Sequence, residues 1–457
     1  MTTPALTFVR GDEAELGSAI LTTLGADATY DEGAFYTYRH GTGCWSPLSN
    51  EHIQTVVADF AGALVLSARP KVLSISYPRA KGAVAFARAR LLANTTRPTF
   101  THATAGLAFG NGFVSVSNGN VQLNQHHPQH LARHGFDFDF DPTLSPDRLL
   151  DFFGEIFEDV DPLQSAEQMA LCQEFIGICL IGEAARYQRC LVLHGSGANG
   201  KSSLMQIAAA CFPKQAVVAI PPQDWGKTFR LAGLAGARIN IVNEMPEHDI
   251  VADSIFKSVI TGEPVTGEHK YQPSFTFASR AGHLFSANNL PATNDHSAGF
   301  WRRFMVVPFT RDMTLVPYHR PEVARAIVDA ELPAIVAWAL EGAARVQRQG
   351  GYSEPRSSTL MVNQWRQETD NVRQFLQTAC SPTGTIGAQH LHAAYRTWAF
   401  EAGYKPVSVV TFGRRANAAG FKSRHTSAGN VYDVRPRPPI VNGLTPPGWS
   451  PSLKKGP

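Results

Sequence analysis

Residues 195–202 read Gly195-Ser196-Gly197-Ala198-Asn199-Gly200-Lys201-Ser202, a complete G-x-x-x-x-G-K-S phosphate loop. Its glycines let backbone N–H groups turn inward around nucleotide phosphates. Lys201 is placed to reach the β- and γ-phosphates, and the Ser202 hydroxyl to hold Mg²⁺. Cys190-Leu191-Val192-Leu193-His194 is a short apolar strand entering the loop, and Leu204, Ile207, Ala208 and Cys211 recur beyond it at helical spacing. Strand, loop and helix in that order put an anion at a helix N-terminus, where unpaired N–H groups and the helix dipole favour it. A chance Gly-rich turn would rarely arrive with both flanking elements. The nucleotide-binding set is therefore Gly195, Ser196, Gly197, Ala198, Asn199, Gly200, Lys201, Ser202 and the adjoining Ser203.

A chain of 457 residues should hold roughly two to four domains. No segment offers the long uncharged run that a membrane helix needs, and Met1 to Leu24 carries Asp12, Glu13 and Glu15 in place of a secretory signal. Six scattered cysteines (44, 172, 179, 190, 211 and 380) form no C-x-x-C pair, which predicts reduced core thiols, no zinc ribbon and a cytoplasmic location. The net charge of +3 excludes little, but its distribution is uneven. Between Arg396 and Arg437 eight Lys or Arg residues stand against Glu401 and Asp433, a basic C-terminal module.

The expected fold class is α/β. Residues 1–142 read as an α+β module, with strands at Tyr36–Tyr38 and Phe113–Val116, Gly/Asn turns between short elements, and a helix near Ala83–Leu92. Phe136-Asp137-Phe138-Asp139-Phe140-Asp141-Pro142 alternates as a half-exposed strand with its acids in water. Residues 143–188 turn helical, with one stripe from Leu149 to Phe157 and another from Met169 to Leu180. Residues 189–345 alternate apolar strands and helices, predicting a largely parallel sheet. Residues 346–435 read as a helical linker and a compact helical module closing in a β-hairpin, and the Pro/Gly-rich tail from 436 to 457 predicts disorder.

Three further features narrow the class of nucleotide enzyme. The apolar strand Ile239–Val242 runs into Asn243-Glu244; Glu244 can orient an attacking water and hold Mg²⁺ through its water shell, while Asn243 occupies the place of the usual aspartate. His283–Ala287 ends at Asn288, a neutral amide that can bond the γ-phosphate or the water. Gly299-Phe300-Trp301-Arg302-Arg303-Phe304 then offers an arginine pair. In a ring ATPase one of these would be a finger acting on the neighbouring subunit's nucleotide, a contribution of ~10³–10⁵ in rate.

Together these segments, with Lys257-Ser258-Val259-Ile260-Thr261-Gly262-Glu263-Pro264-Val265 between the second and third, resemble the phage and plasmid primase-helicase family, relatives of the poxvirus primase-helicase within the superfamily 3 helicases. Phe109-Gly110-Asn111-Gly112 through Pro142 resembles the domain preceding that family's motor. Leu391–Trp398 and Phe412-Gly413-Arg414-Arg415 resemble its C-terminal winged helix. The resemblance implies an AAA+ type P-loop motor core with an N-terminal α+β domain, a helical collar over 143–188, a superfamily 3 core over 189–345 and a winged helix. It further implies an ATP- and Mg²⁺-dependent homo-oligomer, a hexamer, that translocates 3′→5′ on single-stranded DNA and unwinds forked DNA. Lys201, Ser202 and Glu244 would act in cis and Arg303 or Arg302 in trans. His269 and Lys270, in a hairpin over Pro264–Phe277, would grip phosphate in the channel, a role that competes evenly with that of a solvated tip. Arg414, Arg415, Lys422 and Arg424 would add duplex contact. The departures are Asn243 and the lack of upstream room or zinc cysteines for priming, so a separate primase or initiator is an expected partner. A packaging or recombination ATPase and a non-unwinding initiator or loader remain open.

Overall fold

The computed structural model describes residues 7–66, 69–158, 160–245, 253–270, 273–291, 293, 295, 297–315, 322–404, 406–427 and 429–437. Lys405 and the tail over 438–457, with Lys454 and Lys455, lie outside the described residues. The chain forms two compact units, one of residues 1–291 and 302–359, the other of residues 292–301 and 360–457.

The first unit is built around five parallel strands, numbered here β1 (Cys190–His194), β2 (Val217–Val218), β3 (Ile239–Val242), β4 (Gly282–Ala287) and β5 (Phe304–Pro308). Their order across the sheet is β2-β3-β4-β1-β5. The central strands β1, β3 and β4 are buried almost throughout, because a parallel sheet covered on both faces tolerates few polar side chains. The helices Pro162–Ile181 and Lys201–Ala210 pack on the sheet. Against the first of these lies the long helix Val323–Gln349. The two backbones touch: a Cβ on Gly177 would sit 1.9 Å from the Ala339 carbonyl oxygen, so only glycine fits there. Asp161 caps the helix Pro162–Ile181 by accepting from the Leu163 and Gln164 N–H groups, and Gly182 ends it at φ 72°.

The N-terminal part carries a three-stranded sheet, Ala28–Asp31, Ala34–Arg39 and Cys44–Leu48, beside the helices Glu13–Leu24, Asn50–Ala58 and Tyr77–Ala93. The hairpin of Gly112–Ser117 and Asn120–Asn124 turns through Asn118 and Gly119, both at positive φ, the pair that a tight type I′ turn requires. The segment Phe136–Pro142 corrects the expected strand. Phe136, Phe138 and Phe140 do point inward, each against Phe109, and Asp137 and Asp139 are exposed. Yet the segment lacks a ladder: Asn111 ties Phe140 through its side-chain amide, and single backbone bonds join Phe136 to Ala108 and Phe138 to Gly110. Alternation identified the faces but not the backbone pairing.

The second unit holds the helices Ala388–Glu401 and Val409–Ala418 and a hairpin of Ser423–Thr426 with Gly429–Tyr432, around Phe375, Leu391, Tyr395 and Phe412.

Arg238 is buried, and Arg133 and Arg280 lie largely buried close to it, where the N-terminal part meets the amino end of the sheet. Arg133 pairs with Glu32 at 2.6 Å and lies 4.4 Å from the Phe100 ring centroid. Arg280 donates to the carbonyls of Phe100, Ala103 and Gly182. Glu32→Gln removes the carboxylate from a pair whose side chains are about a tenth exposed, and should cost about 3 kcal/mol in urea unfolding. A loss under ~0.5 kcal/mol would show that the pair contributes little.

Two buried imidazoles add a pH dependence. Burial pushes His283 down to about 3; burial with Arg238 and Arg133 nearby pushes His134 to about 3. Both stay neutral in the fold down to low pH, whereas in the unfolded chain they take up a proton at the ordinary histidine value, about 6.5. Stability should therefore be full above pH ~6.5 and fall below it, by roughly 2 kcal/mol per histidine between pH 6.5 and 5. His283→Leu should flatten that fall in urea melts.

Candidate nucleotide site

The phosphate loop leaves the carboxyl end of β1. The Gly195 N–H donates to the Ala287 carbonyl at 3.2 Å, extending the pairing with β4 by one step. Gly197 and Gly200 lie at φ 90°, and Ala198, with a side chain, at φ 49°. A Cβ at Gly200 would meet the Ile156 methyl at 2.5 Å, whereas Gly197 faces open space. Gly200 caps the helix Lys201–Ala210 with no side chain on its first N–H groups, so those donors are available to an anion.

A cavity of about 370 Å³ opens on the loop. It is lined by Gly197–Ser203, Asn243, Glu244 and Asn288, with Phe152, Glu155, Met313, Thr314 and Val323 among the remaining walls. The expected nucleotide residues from Gly197 onward therefore line one space, along with both strand-tip groups. Lys201 is buried, and its Nζ donates to the Gly195 carbonyl (2.6 Å) and to Asn199 Oδ1 (3.0 Å). That burial holds its ammonium below the usual lysine range. Ser202 is exposed on the first helical turn.

Glu244 lies two residues past β3. It is fixed by the Met245 N–H donating to the Ser286 carbonyl at 2.8 Å, which ties the β3 end to β4. Asn288 follows β4 directly. Glu244 and Asn288 are both exposed to the cavity. Since β4 separates β1 from β3, Glu244 stands two strand steps from the loop strand, roughly 10 Å, with Asn288 between. That spacing leaves room for a terminal phosphate and a water.

The arginine pair is at the other end of the sheet. Arg302 and Arg303 immediately precede β5, and Phe304 pairs with Cys190 at the start of β1. The loop lies a full strand away, roughly 17 Å, beyond an arginine side chain's reach. Neither side chain can reach the phosphate loop of its own chain. Arg303 is buried and its carbonyl accepts from the Cys190 N–H, whereas Arg302 is exposed and meets Gln188 at 3.3 Å.

His269 and Lys270 are exposed in the connection between the paired strands Pro264–Gly267 and Phe275–Ala278, with the His269 ring stacked on Phe275 at 4.9 Å. Residues 271 and 272 of that connection lie outside the described residues. In the second unit Arg414 and Lys422 are exposed, Arg424 pairs with Asp433 at 3.2 Å, and Arg415 is half-buried, burial lowering its pKa against Asp370.

Asn199 is a site residue whose role sequence reasoning missed. Its Oδ1 accepts from Lys201 and its Nδ2 donates to the Phe309 carbonyl, so it ties the loop to the chain leaving β5. That chain also returns through the Met313 N–H to the Ala198 carbonyl. No local pattern announces a contact across more than a hundred residues.

Comparison with known proteins gives limited matches. A family of unknown function, DUF5906, matches residues 193–303, the span from the end of β1 to the arginine pair. No curated protein matches the chain. Among solved structures, the A form apo structure of the NrS-1 C-terminal region is 13% identical, with 93% of this chain and 98% of that one covered and a TM-score of 0.47. A second structure of that region, residues 305–718, is 12% identical over 93% and 100%, with a TM-score of 0.44. A third is 12% identical over 92% and 98%, with a TM-score of 0.45. Among the described residues no helix is long and apolar enough to cross a membrane.

Asn199→Ala leaves the Phe309 carbonyl and Lys201 short of a partner, a loss of ~1–3 kcal/mol. Nucleotide affinity by isothermal titration should fall about tenfold or more, while Ser196→Ala, at an exposed loop position, stays within about twofold. Equal affinities for both variants would remove Asn199 from the site.

Proposed function

We propose that this protein is an ATP-dependent, ring-forming DNA helicase of a phage or mobile-element replication system, with an AAA+ motor core. One observation carries the reading: the loop, Glu244 and Asn288 share the carboxyl edge of the sheet, while Arg302 sits at its amino edge. In this reading a second copy supplies Arg302 to the loop edge of its neighbour.

Lys201 would exchange its loop partners for β- and γ-phosphate oxygens. Among the oxygen groups that line the cavity with Lys201 are the Ser202 hydroxyl, the Glu244 carboxylate and the Asn243 amide oxygen, of the kind that suits Mg²⁺. Bound there, the ion would neutralise charge on the phosphates. Glu244 would accept a proton from the attacking water, with Asn288 orienting that water against the terminal phosphate. Arg302, the exposed member of the pair, becomes the preferred finger; Arg303 would hold the turn from which it projects.

The hexamer, 3′→5′ movement on single-stranded DNA and a channel hairpin bearing His269 and Lys270 complete the proposal. The helices and hairpin of the second unit would form a winged helix contacting duplex through Arg414 and Lys422, with Arg415 and Arg424 in supporting places. A separate primase or initiator would supply priming. The same divided site would also serve a packaging or recombination ATPase; strand displacement on a fork distinguishes the two.

Lys201→Ala should abolish both ATP hydrolysis and displacement. Arg302→Ala should lower hydrolysis by ~10³-fold or more with nucleotide affinity nearly unchanged. Mixing the two variants should restore part of the activity, because some interfaces then pair an intact loop with an intact arginine. Hydrolysis without displacement would exclude the helicase; rescue by Arg303→Ala in place of Arg302→Ala would reassign the finger.

A further inference from the structure

From Phe60 to Phe136 the chain contains no Asp or Glu, but Arg69, Lys71, Arg79, Lys81, Arg88, Arg90, Arg97 and Arg133. The excess of eight positive charges exceeds the +3 of the whole chain, so the remainder is net acidic. Arg133 is buried with Glu32, while most of the others gather around the helix Tyr77–Ala93.

The structure sorts the helix by face. Ala83 and Ala87 are fully buried against the N-terminal core. Tyr77, Lys81 and Arg88, spaced i, i+4 and i+11, share one flank. Tyr77 is 71% exposed, Lys81 is exposed, and the Arg88 guanidinium lies 5.9 Å over the Tyr30 ring. Lys71 is exposed in the strand just before the helix. Phe86 adds a second half-exposed ring, beside Arg90, which meets Ser18. Among the described residues no carboxylate forms an ion pair with Lys71, Arg79, Lys81, Arg88 or Arg90.

The start of the helix intensifies this charge. Helices such as Pro162–Ile181 and Lys201–Ala210 have no acid in their first turns, but the two that pack beside it in the N-terminal core, Glu13–Leu24 and Asn50–Ala58, carry Glu13 and Glu15, and Glu51. The helix Tyr77–Ala93 has no acid there, and its Ser76 cap makes no side-chain bond. Arg79 stands instead in the first turn, at the positive end of the dipole, with Lys81 just beyond it, an arrangement unfavourable to the helix itself. The charge therefore serves something outside the fold, and its complement is an anionic polymer. Exposed rings among the cations fit bases as well as phosphates, the combination that holds single strands.

We propose that this helix and the strand entering it form a single-stranded DNA contact, with Lys71, Lys81 and Arg88 on phosphates and Tyr77 stacked on a base. It is separate from the hairpin and second-unit contacts and needs no nucleotide, so it stands or falls independently of the motor.

The test uses the full chain without nucleotide and a labelled oligo(dT) strand, read by anisotropy across salt. Lys71→Ala/Lys81→Ala should weaken binding about tenfold and reduce the slope of log affinity against log salt by about 1.4, from two lost phosphate contacts. Tyr77→Ala should weaken single-strand binding about fivefold with the slope unchanged. Both variants change exposed side chains, and unchanged melting curves would confirm folding. Unchanged affinity and slope in the double variant would overturn the proposal. Equal losses on blunt duplex would overturn the single-strand assignment. Loss of binding to phosphatidylserine vesicles with DNA affinity intact would also overturn it, in favour of a membrane surface.

Discussion

Parallel strands deliver all their carboxyl ends to one edge of a sheet and all their amino ends to the other. The layout of the candidate nucleotide site follows from that constraint. The phosphate loop leaves β1, Glu244 follows β3 and Asn288 follows β4, so three distant parts of the sequence must meet at one edge. Residues that precede a strand are sent to the opposite edge, and Arg302 precedes β5. The insertion of β4 between β1 and β3 then sets the separation of the loop from Glu244, with Asn288 in the gap. Under the proposed function, the oligomer supplies the group that the sheet geometry withholds from each chain.

The loop holds its form through internal contacts. Lys201 is buried and bonded to Gly195 and Asn199, and Asn199 is bonded in turn to the Phe309 carbonyl. A nucleotide would thus replace one set of partners for Lys201 with another, and phosphate oxygens would compensate the desolvation that lowers its pKa. Ala198 at φ 49° adds a strained non-glycine position in the same loop. Strain of this kind is held only where the surroundings over-determine it, here the Met313 N–H on the Ala198 carbonyl.

The parallel sheet, and the grouping of the loop with Glu244 and Asn288 at one of its edges, were largely legible in the sequence. Apolar runs such as Cys190–Leu193 and Ile239–Val242 read as buried parallel strands, and the glycine spacing read as a phosphate loop, because both are local patterns with a physical cause. Three things were not legible. Strand order, which decides that Asn288 lies between the loop and Glu244, is a matter of which distant segments pair. Asn199's bond to Phe309 and the wall formed by Phe152, Met313 and Val323 depend on long-range packing. Burial separated Arg302 from Arg303, two adjacent and chemically identical residues. The alternation over Phe136–Pro142 marked the inward faces but not the missing ladder. The acid-free stretch from Phe60 to Phe136 was visible all along, but it becomes meaningful only when the helix face shows which of its charges reach solvent.

The claim that the catalytic site is shared between copies is tested most directly by ATP turnover per chain as a function of protein concentration, with nucleotide binding measured in parallel. A shared site predicts turnover that vanishes on dilution and climbs to a plateau as copies assemble, while nucleotide affinity changes far less. Turnover per chain that stays constant down to concentrations where the protein is monomeric would contradict the account.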